Sequence, residues 1–187
     1  MNPITELTDV LTRSRSLEPV IAATGRIIVT CLKNGGKILS CGNGGSAADA
    51  LHLVEELVGR YNAPRRALPA ICLSADATVL TCIGNDFGFD QIFARQVTAL
   101  AGSGDVLVVF STSGNSPNVL AAIVAAKSAK VRTILLGGKD GGRARGQCEF
   151  ELIVPSTNTA RVQEVHTLIL HSWLDQVDAE FCPPAAK

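Results

Sequence analysis

The chain has no excess of either charge: 17 basic residues face 17 acidic ones, and the formal net charge at pH 7 is zero. Without a basic surplus there is no electrostatic footprint for nucleic acid, where phosphate contacts supply most of the affinity. No Cys-x-x-Cys pair occurs among Cys31, Cys41, Cys72, Cys82, Cys148 and Cys182, and most of them lie in apolar runs. A zinc knuckle and a disulfide framework are therefore disfavoured, and buried reduced thiols in a cytosolic protein are expected. No apolar run reaches the length of a membrane span. The start, Met-Asn-Pro-Ile-Thr-Glu, lacks the basic region and apolar core of a signal peptide, so a cytoplasmic location is the expectation. Two nucleotide signatures are also missing. The glycine-rich stretch at 42–46 is not closed by Gly-Lys-Ser/Thr, and it does not complete the dinucleotide fingerprint.

What is present is globular. Hydrophobic residues make up 47% of the 187 residues and charged ones 18%, which suits a single domain over 1–187 with a sizeable core. The segment from Lys37 to Arg60 organises the rest. An apolar run leads into Gly42-Asn43-Gly44-Gly45-Ser46, and a stretch with helical spacing follows, with Leu51, Val54, Leu57 and Val58 as its apolar face. Strand, glycine turn and helix in that order aim backbone N–H groups at an anion. Glycines there let a ligand approach the main chain, and Ser46 suits a helix N-cap or a phosphate donor. A tight turn without a ligand is the plain alternative.

The remaining pattern alternates. Residues 4–33 predict two helices that serve in packing and self-association, closed by Lys33-Asn34-Gly35-Gly36. Strands are predicted at 37–41, 70–74, 105–110, 131–136 and 150–154, and helices at 76–82, 92–101, 117–126 and 159–180, with a tail at 181–187. Five apolar strands alternating with helices imply a parallel sheet covered on both faces. Ligands of such sheets bind beyond the carboxyl ends of the strands. The first strand ends in the glycine loop and the third in Ser111-Thr112-Ser113-Gly114-Asn115-Ser116, so both polar loops fall on that edge.

Four hydroxyls in six residues, at a strand-to-helix junction with Pro117 in a first helical position, suit a phosphate monoester. No Lys or Arg lies in the loop, which fits binding of phosphate without its transfer. The alternative is a Ser/Thr-rich turn. His52 and Glu56 are four apart and share a helix face, with Glu55 turned about 100° toward solvent. A carboxylate at an apolar site can act as a base; an exposed ion pair is the plain reading. Gln163 and His171 stay within about 80° of each other on the last helix, whereas His166 and His171 differ by about 140° and do not serve one site. Asn85 and Asp86 follow the second strand's helix and are candidates for sugar hydroxyls, or simply a helix end.

Taken in order, Ser-Cys-Gly-Asn-Gly-Gly-Ser-Ala-Ala-Asp-Ala (40–50), Gly-Asn-Asp-Phe-Gly (84–88), the serine loop (111–116), Gly-Lys-Asp-Gly-Gly (138–142) and Arg-Val-Gln-Glu-Val-His (161–166) resemble the phosphoheptose isomerase family of the sugar isomerase (SIS) domain superfamily. The resemblance implies a three-layer α/β fold with a flavodoxin-like five-stranded parallel sheet, and a homotetramer with active sites between subunits. It implies conversion of D-sedoheptulose 7-phosphate to D-glycero-D-manno-heptose 7-phosphate. Ser111, Thr112, Ser113 and Ser116 match the phosphate contacts, and Asn43, Gly44, Gly45, Asn85 and Asp86 the sugar contacts. Glu56 matches the catalytic carboxylate and His171 the second acid/base. His52, Glu56, Gln163 and His171 match zinc ligands described for some members. Ala160 departs from the pattern, standing where some members carry an acidic residue. Related chains are regulators that bind a replication initiator, and others isomerise different sugar phosphates; these are the alternative readings.

Overall fold

The computed structural model describes residues 2–182. Asn2 opens α1 (Pro3–Ser14), its side chain accepting from the Ile4 N–H at 2.9 Å with Pro3 in the first turn. A short 3-10 turn leads into α2 (Glu18–Lys33). Then come β1 (Ile38–Gly42), α3 (Gly45–Val58), β2 (Ala70–Cys72), α4 (Ala77–Phe87) and α5 (Ala94–Leu100). The chain continues through β3 (Val106–Ser111), α6 (Pro117–Ser128), β4 (Arg132–Gly138), β5 (Phe150–Val154) and α7 (Thr159–Phe181). All four strand pairings are parallel, in the order β2-β1-β3-β4-β5. That is the flavodoxin-like order, and its switch point lies between β1 and β3.

The sheet divides the core in two. One apolar cluster joins α1, α2, α3 and α7 to one face, and the other joins α4, α5 and α6 to the opposite face. β1 and β3 are buried along their whole length, which is why they read as largely apolar runs; Ser40 within β1 donates to the Ala50 carbonyl.

Several local expectations shift. The buried stripe of α3 is Ser46, Ala50, Leu53 and Leu57, with Val54 beside it; Leu51 and Val58 are 46% and 47% exposed. Small residues at 46 and 50 let α3 lie close to the sheet, and a stripe built partly of small residues escapes a count of large hydrophobics. α4 runs past Cys82 to Phe87, held at its start by Asp76, whose carboxylate accepts from the Thr78 and Val79 N–H groups. α5 begins only at Ala94, because Phe89–Gln91 form a 3-10 turn and Ile92 and Phe93 drop into the core. β2 stops at Cys72, and Ser74 leaves the ladder to accept from the Gly42 N–H and donate to the Gly42 carbonyl. Of the tail expected at 181–187, Phe181 closes α7, Cys182 follows it and the rest lies outside the described residues.

The thiols are only partly as expected. Cys31, Cys41 and Cys72 are buried, Cys148 and Cys182 are half-buried, and Cys82 is exposed. No helix among the described residues is long and apolar enough to cross a membrane.

Candidate functional site

The two loops at the β1/β3 switch point enclose a cavity of about 140 Å³ lined by Asn43, Ser46, Phe110, Ser111, Thr112, Ser113 and Ser116. Gly44 has φ +55 and ψ −123, a conformation that side chains resist, and it is the N-cap of α3. Ser46 is therefore not the cap; it lies in the first turn, buried, with its residue on the cavity wall. On the other loop Ser116 is the N-cap of α6, yet its hydroxyl makes no capping bond and is free for a ligand. Ser111 accepts from the Gly114 N–H and Ser113 from the Asn115 N–H, which holds the loop in shape. The Asn43 amide is engaged with Asn118, each donating to the other at 2.9 Å. That reciprocal pair ties the glycine loop to α6 and spans residues that no local reading connects.

From this cavity α3 and α7 run side by side in the same direction. A side chain at Gly45 would collide with the Gln163 amide, so the glycine sets the close approach of the first turns. One turn on, Thr167 donates to Asp49 at 3.4 Å. At the next turn His52 Nε2 lies 3.4 Å from His171 Nε2 and 3.5 Å from Glu56 Oε1. His52 Nε2 thus stands between Glu56 on its own helix and His171 on the other. Glu55 is exposed, as expected, although a carboxylate oxygen of it lies within 4.8 Å of the donor atoms of His52 and Glu56. His166 stays out of the site: it is fully buried, and its Nε2 pairs with the Gly137 carbonyl at 3.0 Å.

Three residues that the sequence did not single out shape this cluster. Tyr61 stacks on the His171 ring, with centroids 5.5 Å apart. Arg65, its side chain fully enclosed, donates to the last carbonyls of α3 at Glu56 and Leu57 and pairs with Asp178 of α7 at 3.1 Å. Asp49 is buried between the helices, and loss of hydration pushes its carboxyl from 3.8 up to about 6. Asn85 and Asp86 do not join the cluster. The chain leaving β2 crosses to the other face of the sheet, so both sit exposed in the last turn of α4, paired with each other at 2.7 Å.

Comparisons with known proteins identify the family and the fold. The SIS domain family model matches residues 4–138. The phosphoheptose isomerase of Citrifermentans bemidjiense is 54% identical over 88% of this chain and 85% of its own length. Phosphoheptose isomerase 1 of Campylobacter jejuni is 50% identical over 90% of each. The solved structure of phosphoheptose isomerase GmhA from Neisseria gonorrhoeae superposes with a TM-score of 0.86, at 41% identity, covering 94% of this chain and 95% of that one. The chain belongs to the phosphoheptose isomerase family of SIS-domain proteins. It is an enzyme, an aldose–ketose isomerase, which removes the ground for a purely regulatory reading.

For a phosphoheptose isomerase the suitability of the cluster for zinc can be judged on distances. Donors around a tetrahedral zinc ion, each at about 2.0–2.1 Å, stand about 3.3–3.4 Å from one another. The 3.4 Å and 3.5 Å separations about His52 Nε2 match that spacing, and two imidazoles with a carboxylate are donors zinc accepts. The spacing fits pair by pair, for His52 with Glu56 and for His52 with His171; the three donors that all lie within 4.8 Å of one another are those of His52, Glu55 and Glu56. Gln163, the fourth residue implied, is not brought to the cluster: it stands two turns before His171 with its amide against Gly45.

Proposed function

We propose that the chain converts D-sedoheptulose 7-phosphate to D-glycero-D-manno-heptose 7-phosphate through an enediolate, in the cytoplasm. The observation that carries this reading is that Glu56 Oε1 and His171 Nε2 both lie within 3.5 Å of His52 Nε2, on the two helices that run on from beside the serine-lined cavity. In that cavity Ser111, Thr112, Ser113 and Ser116 hold the phosphate, helped by the positive end of α6. The absence of Lys and Arg from the loop suits an anchor that is not itself transferred. Asn43, Gly44, Gly45, Ser46 and Gln163 line the path of the sugar. Its length supports a long substrate: Gly45 to His52 is about 10 Å along the helix. An extended seven-carbon chain with bonds of about 1.5 Å and a terminal phosphate spans about the same distance.

An aldose–ketose exchange moves one proton between adjacent carbons and another between their oxygens. Glu56 takes the proton from the carbon beside the carbonyl and returns it to the neighbouring carbon. His171, stacked on Tyr61, transfers the proton between the two oxygens. Zinc held by His52, Glu56 and His171 would supply positive charge against the enediolate oxygen; Gln163, the fourth ligand implied, would have to swing its amide away from Gly45 to join them. Asn85 and Asp86 reach a sugar only if a neighbouring subunit presents them, and the homotetramer with shared sites is part of the proposal.

The test is product formation across a panel of ketose phosphates, with and without a chelator. Glu56→Gln is expected to keep the fold and to lose sedoheptulose 7-phosphate isomerisation by about 10²-fold or more. Retained turnover in that variant removes Glu56 from the mechanism. A faster reaction with a shorter ketose phosphate reassigns the substrate.

A further inference from the structure

Asp49 is a buried acid with an idle oxygen. Its residue is 9% exposed, and its Oδ2 is one of two buried side-chain nitrogen or oxygen atoms without a partner among the described residues. Sealing an acceptor away from water unpaired costs about 1–3 kcal/mol, so such an atom calls for an explanation. Its Oδ1 accepts a long bond from Thr167, and Thr167 has a second acceptor in the Gln163 carbonyl at 3.2 Å. The carboxylate is therefore not needed to satisfy Thr167.

A ring with an unengaged nitrogen lies one turn further along α3, close enough to act on the Asp49 carboxylate through its charge. His52 commits its Nε2 to the cluster with His171 and Glu56, which leaves Nδ1 as the unengaged ring nitrogen. Helical side chains lean toward the N-terminus, and residues three apart are neighbours on the helix surface. The near edge of the His52 ring is thus turned to the level of Asp49. The two groups are not bonded in the structure.

We propose that Asp49 is a positioning residue: its Oδ2 accepts the Nδ1–H of His52 and fixes the tautomer whose Nε2 lone pair faces Glu56 and His171. A neutral imidazole carries one N–H, so placing it on Nδ1 leaves Nε2 as an acceptor or a metal donor. The same choice orders the partner ring. With His52 Nε2 unprotonated, the 3.4 Å contact is a hydrogen bond donated by His171 Nε2–H. In the metal-free protein His171 then carries its proton on Nε2. The inference rests on His52 belonging to the site proposed above, but its first readout involves neither zinc nor turnover.

That readout is the ring ¹⁵N shifts of His52 in metal-free protein, at a pH where the ring is neutral. The wild type is expected to show the Nδ1–H tautomer. Asp49→Asn, which keeps an acceptor oxygen, is expected to retain it, and Asp49→Ala to lose it. Zinc affinity, read by competition with a chromophoric chelator, is expected to fall about 10–100-fold in Asp49→Ala and less in Asp49→Asn. An Nε2–H tautomer in the wild type, or an unchanged tautomer in folded Asp49→Ala, overturns the proposal. If Asp49→Ala does not fold, the wild-type and Asp49→Asn shifts decide it. A wild type that binds no zinc defeats the metal reading, and the tautomer then decides the role of Asp49.

Discussion

Single residues here separate chemistry from packing. His166 and His171 share a helix, yet one is wedged under the sheet and the other faces a cluster of donors. The His166 ring is fully buried, edge-on to Phe110, and burial pushes its pKa from 6.5 down to about 4. The unfolded chain takes up that proton near pH 6.5 and the folded chain only near pH 4, so His166 favours folding fully above about 6.5 and loses its contribution as pH falls toward 4, by about 3 kcal/mol across the window. Asp49 acts in the opposite sense, because its carboxyl is raised to about 6 and its protonated native form gains on the unfolded chain as pH falls through that value. His166→Gln keeps an N–H for the Gly137 carbonyl and does not titrate. Between about pH 7 and pH 4.5 the urea midpoint of the wild type should fall further than that of the variant. Equal falls would remove His166 as the source. The thiols allow a second check. Burial raises Cys31 to about 11 and Cys148 to about 12, and raises Cys41 further, so these are inert at neutral pH. A maleimide should label exposed Cys82 first, and Cys82→Ser should remove the fast phase.

At the scale of elements the site depends on how α3 and α7 are fixed to each other. Arg65 does this at the C-terminal end of α3, closing its carbonyls and pairing with Asp178, which also accepts from the Asn62 and Ala63 N–H groups. Its side chain is fully enclosed and that of Asp178 is 11% exposed, so breaking the pair strands a buried charge. Arg65→Met is expected to cost about 3 kcal/mol or more, measured by chemical denaturation. A loss under 1 kcal/mol would mean that the two backbone N–H groups satisfy Asp178 on their own. The sequence carries no sign of this clamp, because its partners are 113 residues apart. The same limit explains Tyr61, read as loop, and the Asn43–Asn118 pair. It also explains Asn85 and Asp86: a local pattern shows that a helix follows β2, but not which face of the sheet receives it. The strands and the two polar loops were legible for the converse reason. Parallel strands buried on both faces must be apolar throughout, and a phosphate cradle at a strand end needs small residues and hydroxyls in adjacent positions.

For the whole molecule, the α3–α7 pair joins parts of the chain that are far apart in sequence. α3 belongs to the early half of the chain and α7 to its end, and α7 also carries the packing of α1 and α2 on that face of the sheet. An ion held by His52 and Glu56 on one helix and His171 on the other therefore stabilises the fold as a unit, because the unfolded chain presents no such site. At one hundred times its dissociation constant, zinc adds about 2.7 kcal/mol. For a domain of this size that raises the melting temperature by about 5–10 °C. Zinc added to chelator-stripped protein should produce that rise, and His171→Ala should abolish it while leaving the melting temperature of the stripped protein nearly unchanged, since the His171 ring is only half-buried. A rise that survives in His171→Ala places the ion elsewhere. No rise in the wild type leaves Glu56 and His171 to carry the proton transfers without a metal.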